Sequence, residues 1–348
     1  MTPTVVKPLM PSVVALAASW ACGLVVSTGL VTQVGAETVT KNGSSAAGNA
    51  ATRTTVDAIN STISSGLLGG SGVFRIRLGE GPAPEMSKGM AASFDSSNLS
   101  IWFTPVLTRV DNKIAPLYTE GSVNLMMGGI EYNHEDTVVM GVSITRDWAN
   151  ITSTEISTTT SISAVTGLGY TLAPYVAWQI DPSWLVDASF GAGNSMLEST
   201  KSDGTVASPK NDRSFVSTGV TYLKPLSDKA LFTGKGTLSR SRDFIDTFNS
   251  ILGTTVTSNA SSATYLNQFK LGGQFSYRLG NFTPYAGGYY IQNDFTVDST
   301  SSVKPVEYQT VSQWVAGLNF STGPVYGALA FQQEQGRNQS RLYLGYRF

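Results

Sequence analysis

Few residues in this 348-residue chain could do bond-making chemistry, and their spacing does not bring them together. One histidine is present, His134, in the stretch NHED (133–136), and one cysteine, Cys22. Hydrolysis of a lipid or peptide bond commonly uses an imidazole as general base. His134, however, lies in a short polar link beside Glu135 and Asp136, so it reads as a solvated turn residue. A lone thiol permits neither a disulfide framework nor a thiolate metal site. GGSG (69–72) and RLGEG (77–81) lack the GxxxxGK[ST] spacing and the strand-to-helix setting of a phosphate loop, and read as linker. The chain is therefore not expected to be an enzyme, and no catalytic residue, metal or cofactor is assigned.

A second set of polar residues recurs inside alternating stretches: Asp187, Arg213, Lys235, Lys270, Gln274 and Arg278, with Gln179 and Gln313. Each falls on the face opposite the apolar one of an extended segment. Facing a lumen, such charges can hold a plug or tune ion passage; a merely wetted interior is the plainer alternative. Both signs are present, so no ion preference follows.

The elements that must carry these residues are strands. Charged residues make up 14% of the chain, against about 25% in ordinary soluble proteins, while 35 glycines and many Ser and Thr point to turns. A net charge of -1 gives no support to nucleic-acid binding. Near the N-terminus, Lys7 is followed by the apolar run from Val13 to Val31, and VGAE offers the small-residue positions Val34 and Ala36. Residues 1–36 read as a cleaved export signal; an uncleaved membrane helix and a lipid anchor on Cys22 are the alternatives. No other run is long and apolar enough for a spanning helix.

Residues 37–97 read as a linker rich in Ser, Thr, Gly and Asn, in which Val56, Ile59 and Ile63 form a narrow stripe at helical spacing. A short helix over 52–65 or an unstructured tether both fit, and VFRIRL (73–78) could be extended. From residue 98 onward the period is two. In GYTLAPYVAWQI, Tyr170, Leu172, Pro174, Val176, Trp178 and Ile180 oppose Thr171, Ala173, Tyr175, Ala177 and Gln179. In YLNQFKLGGQFSYRL, Leu271, Phe275, Tyr277 and Leu279 oppose Lys270, Gln274 and Arg278. Counting such segments predicts about twelve strands: 98–108, 120–132, 137–148, 166–180, 184–195, 213–224, 230–242, 265–279, 282–295, 309–320, 325–332 and 339–348.

Short links (133–136, 181–183, 225–229, 280–281, 321–324) alternate with longer polar stretches (149–165, 196–212, 243–264) and a shorter one at 333–338. That asymmetry is characteristic of membrane barrels, with tight periplasmic turns and longer external loops. Tyr132, Trp178, Trp184, Tyr222, Phe232, Tyr277, Phe282, Phe320, Tyr326 and Phe348 all lie near a tight turn or the chain end, as an interfacial girdle requires. The terminal RLYLGYRF puts Leu342, Leu344, Tyr346 and Phe348 on one face and Arg341, Tyr343, Gly345 and Arg347 on the other. A strand with one oily face at a chain end needs both lipid and a partner, so it is expected to close a cylinder by pairing with the first strand. Pro105, Pro174 and Pro284 each remove a ladder donor and are expected at strand ends or bulges.

On SIWFTPV, NLMMGGIEYNHEDTVVMGVSIT, GYTLAPYVAWQIDPSWLVDAS, FTPYAGGYY and LYLGYRF, the span from about 98 to 348 resembles the translocator domain of autotransporters, the type V secreted proteins of Gram-negative bacteria. The resemblance implies a twelve-stranded barrel with a helix threaded through its pore, mapping onto 52–65, and a terminal strand read by the barrel-assembly machinery. It also implies a passenger, for which 37–97 is too short, and in some relatives self-cleavage at an Asn-Asn pair, which this sequence lacks.

The expected fold is thus all-β: a transmembrane, antiparallel, up-and-down barrel of about twelve strands with an N-terminal helix or tether in or near the pore. The expected layout is a signal (1–36), a linker (37–97) and an outer-membrane barrel (98–348). Expected partners are outer-membrane lipid and, through Leu342, Leu344, Tyr346 and Phe348, the assembly machinery; nucleic acid is not expected, and a monomer is. A translocator-type barrel with little or no passenger leads. A small diffusion channel, or an adhesin binding through loops 149–165 and 243–263, is the alternative.

Overall fold

The computed structural model describes residues 39–69, 99–112, 117–134, 137–155, 161–299 and 306–348. The expected export signal, the extended piece at 73–78, the RLGEG stretch and the boundaries after 36 and 97 lie outside those residues.

In chain order the described elements are α1 (Val39–Gly69), β1 (Leu99–Asn112), β2 (Leu117–His134), β3 (Val138–Glu155), β4 (Ser161–Asp181), β5 (Trp184–Lys201), β6 (Val206–Ala207), β7 (Lys210–Pro225), β8 (Ala230–Ile245), β9 (Phe248–Leu252), β10 (Thr255–Asn259), β11 (Ser262–Tyr277), β12 (Phe282–Ser299), β13 (Val306–Thr322), β14 (Val325–Glu334) and β15 (Arg337–Arg347). Setting aside the short β6, β9 and β10, twelve strands pair antiparallel, each with the next, and β15 returns to β1 from Ser100↔Arg347 to Val110↔Arg337. The sheet is a closed twelve-stranded barrel, and closure satisfies the backbone without leaving an edge in hydrocarbon.

The wall is inverted relative to a water-soluble core. Leu172, Phe190, Leu271, Phe275 and Trp314 point outward, with Trp314 69% exposed. Thr171, Asp187, Arg213, Gln313 and Arg341 are buried inward. The apolar faces meet lipid, and the polar faces meet each other and α1. In the last strand Leu342, Leu344, Tyr346 and Phe348 are outside, whereas Tyr343 and Arg341 are inside.

At the rim of short turns, Trp184 and Tyr222 pack at 4.8 Å, Phe232 and Phe275 at 5.0 Å, and Tyr346 and Phe348 at 5.1 Å between ring centroids. Tyr326 departs from the girdle expected of it. It is buried, facing Tyr343 at 5.7 Å, because its parity on β14 points inward. Its ring occupies the space beside Gly345 of β15, where a Cβ would strike the ring carbons. Tyr175 sits on Gly141 of β3 in the same way. Absence of a side chain on one strand thus leaves room for a large one lying across from its neighbour.

The prolines also differ from expectation. Pro284 is near the start of β12, but Pro105 and Pro174 are mid-strand with no change of register. Pro105 pairs normally with Met126 of β2, and its missing donor is confined to the β15 side, where two rungs are skipped. Pro174 behaves likewise, pairing with Val142 of β3 and interrupting the β5 side. A strand in a barrel has two ladders, so one can be broken while the other holds register.

Strands run further at the outer rim than the sequence suggests. β3 continues to Glu155, β4 begins at Ser161 and β5 reaches Lys201. Ala149, Val165 and Asp243 are therefore buried wall residues, not loop contacts. The stretch expected as one long loop after 243 contains the β9–β10 hairpin, which is tied to β5 through β6. The expected loop at 333–338 shrinks to a turn at Gln335 and Gly336, whose φ is +75°.

Helix α1 spans 31 residues, about 46 Å at 1.5 Å per residue, enough to cross a hydrocarbon layer of about 30 Å. Its sequence is a poor autonomous helix, with Gly43, Gly48 and many Ser, Thr and Asn. Thr54 and Thr55 spend their hydroxyls on the carbonyls of Ala50 and Ala51, at 2.7 and 3.0 Å. The helix survives because it is surrounded. Every residue from Thr54 to Asn60 is buried, which covers all its faces.

Candidate functional site

The site is the lumen, where α1 meets the inner wall. The N-terminal half of the helix brings Ala47 and Ala51 against Val110, Val123, Ile151 and Leu197, near the outer rim. Gly48 lets the backbone approach Asn211 and Asp243 closely; a Cβ there would lie 3.0 Å from the Asn211 amide nitrogen. Farther along, Val56, Ala58, Ile59 and Ile63 join a cluster with Trp102, Tyr175 and Leu185, toward the rim of short turns. The helix therefore runs from the long-loop end inward, and its narrow apolar stripe is the part the sequence makes visible.

Polar anchors fix it between those clusters. Thr52 donates to Asp243 at 2.8 Å, and Asn211 donates to the same carboxylate oxygen at 2.9 Å. Arg337 of β15 donates through Nη1 to Asp57 and through Nη2 to Thr54 at 3.2 Å. Arg53 pairs with Glu334 of β14 at 2.7 Å, and Glu334 lies 3.6 Å from Arg337. Glu334 also accepts from Gln313 at 3.1 Å, and Gln313 accepts from Lys270 at 2.6 Å. Two helix charges and two wall charges are thereby held in one alternating chain, with each buried ion given an opposite neighbour.

The six lumen candidates fall in different places. Lys235 lies 3.4 Å from Asp187 and donates to the backbone carbonyl of Asn60 on α1 at 3.3 Å. Arg213 pairs with Asp147 at 2.8 Å, a contact within the wall. Lys270 lies over the Tyr289 ring at 4.7 Å besides binding Gln313. Gln274 lines a cavity of about 60 Å³ beside the helix. Arg278 lies past the end of β11 and is exposed, because the strand ends at Tyr277.

Sequence reasoning passed over Arg53, Asp57, Glu334 and Arg337. Arg53 and Asp57 are spaced i and i+4 in the linker, a usable helical signal, and the alternation of β15 already points Arg337 to the same side as Arg341. It also passed over a small inward polar group near the short-turn rim. There Trp102 donates to the Tyr175 hydroxyl at 2.9 Å, and that hydroxyl donates to Glu131 at 2.7 Å. Among the described residues no group of His, Cys, Asp and Glu is placed to hold a metal.

The cylinder with a helix inside it has known counterparts. The translocator domain of the autotransporter NalP from Neisseria meningitidis superposes with a TM-score of 0.59 at 14% identity, over 75% of this chain and 92% of that one. Its fold is that of autotransporter translocator barrels. The β domain of the Bordetella autotransporter BrkA superposes with a TM-score of 0.53 at 12% identity, over 73% of this chain and all of that one. No family model matches the sequence, and no curated protein does. The chain has the closed antiparallel β-barrel fold of these translocator domains.

Proposed function

We propose that this is a translocator-type barrel with little or no passenger, in which α1 is the pore segment and points its N-terminal half toward the long-loop rim. The observation that carries this reading is the anchoring of α1 by Arg337, Glu334, Asp243 and Lys235. A pore left open for solutes has no use for charges spent on a helix. Export by a cleaved signal, and recognition of β15 by the assembly machinery through Leu342, Leu344, Tyr346 and Phe348, belong to the same proposal. The outward face of those four residues supports it.

Conductance in planar bilayers tests it. The intact barrel should pass a small, gated current, and deletion of 39–69 should raise that current several-fold while heat-modifiable gel migration persists. In a Cys22→Ser background, a disulfide between Thr52→Cys and Asp243→Cys should suppress the gating. A large, steady current through the intact chain would instead make it a diffusion channel. Surface binding that is lost when 246–261 is replaced would make it an adhesin.

A further inference from the structure

The cavity beside α1 is not neutral. Lys235, Lys270 and Arg341 line it together with Gln268, Gln274 and Asn319, and Asp57 is its one carboxylate. Asp57 is already engaged by Arg337. The cations in the cavity lining and the adjoining ion-pair chain are Arg53, Lys235, Lys270, Arg337 and Arg341, facing the carboxylates Asp57, Asp187 and Glu334. Positive charge is in excess by two among these named groups. Lys270 contacts two neutral groups, the Gln313 amide oxygen and the Tyr289 ring. Surplus buried charge is costly unless an opposite charge joins it.

The volume of about 60 Å³ gives room for roughly four to six waters, which suits one small ion with part of its hydration shell. We infer that this cavity is a binding site for a small inorganic anion such as chloride, held between Lys270, Lys235 and Arg341 on the wall and the Asp57–Ser61 face of α1. The anion completes the charge balance on the side of the lumen where wall and helix do not fully meet. Since α1 forms one wall of the site, the inference rests on the pore-segment reading, and it adds a ligand class to it.

Chloride-35 line broadening tests it on the full chain folded in detergent, with gluconate, too bulky for the cavity, keeping ionic strength constant. The wild type should broaden the line several-fold over a detergent blank, and nitrate should narrow it again by competition where gluconate does not. Lys270→Gln should remove most of the excess broadening, Lys270→Arg should restore it, and Arg278→Gln, at the exposed rim, should leave it unchanged. Heat-modifiable migration reports whether each variant folds, and the nitrate competition needs no variant. Broadening that is absent from the wild type, unmoved by nitrate, or equal in folded Lys270→Gln would overturn the site. Such a failure leaves the conductance and disulfide results standing, so it is distinct from failure of the pore-segment reading.

Discussion

Wall and helix are stabilised by opposite means. The wall is bound by continuous backbone ladders and surrounded by lipid-facing side chains, so no single side-chain contact carries it. The helix is not part of those ladders, and among the described residues it is fixed by a few wall side chains, including Lys235 on the Asn60 carbonyl, and by filling space. The contrast teaches that occupancy of the lumen and integrity of the cylinder are separable properties encoded in different residues.

The sharpest way to pull them apart is Arg337→Ala. Both Asp57 and Glu334 lose a partner, and removing one member of a buried ion cluster costs about 3–5 kcal/mol. The expected result is frequent open-pore currents in bilayers with unchanged gel migration. Leu271→Lys should do the converse. A lysine on the lipid face near the membrane midplane costs about 2–4 kcal/mol, so the urea midpoint of the folded barrel in vesicles should fall with no change in gating. If both variants shifted both readouts equally, the separation of wall from helix would be lost. Thr52→Val is the mildest probe. It removes one hydroxyl while Asn211 still serves Asp243, so it should weaken helix retention by about 0.5–1.5 kcal/mol, seen as a modest rise in gating frequency.

The same contrast decides what the sequence reveals. The wall was readable because each strand alternates at period two and its parity is reset only at turns, so Leu172 and Thr171 already announce opposite faces. The reading shortened β3, β4 and β5 at their outer ends because both faces become polar there, around Thr152 to Glu155 and Glu198 to Lys201. The β9–β10 hairpin was missed for a related reason: β10 is exposed on both faces and carries no period at all. For α1, only Val56, Ile59 and Ile63 give a stripe. Its first half offers the wall only small apolar side chains, Ala47 and Ala51, set among Gly, Ser, Thr and Asn, so no stripe shows there and the helix extends beyond 52–65. Parity could place Arg213 and Lys235 inside, but not name Asp147 or Asn60 as partners. Those depend on how strands are staggered around the cylinder, which one strand's alternation does not encode.

Pro105 has a mechanical consequence. The line between the first and last strands lacks two rungs beside it, as the β4–β5 line does beside Pro174, so the hoop is weakened where its own two margins meet. Sideways tension should unzip the tube along one of these two lines, and along the first it opens into a ribbon bordered by the beginning and the end of the wall.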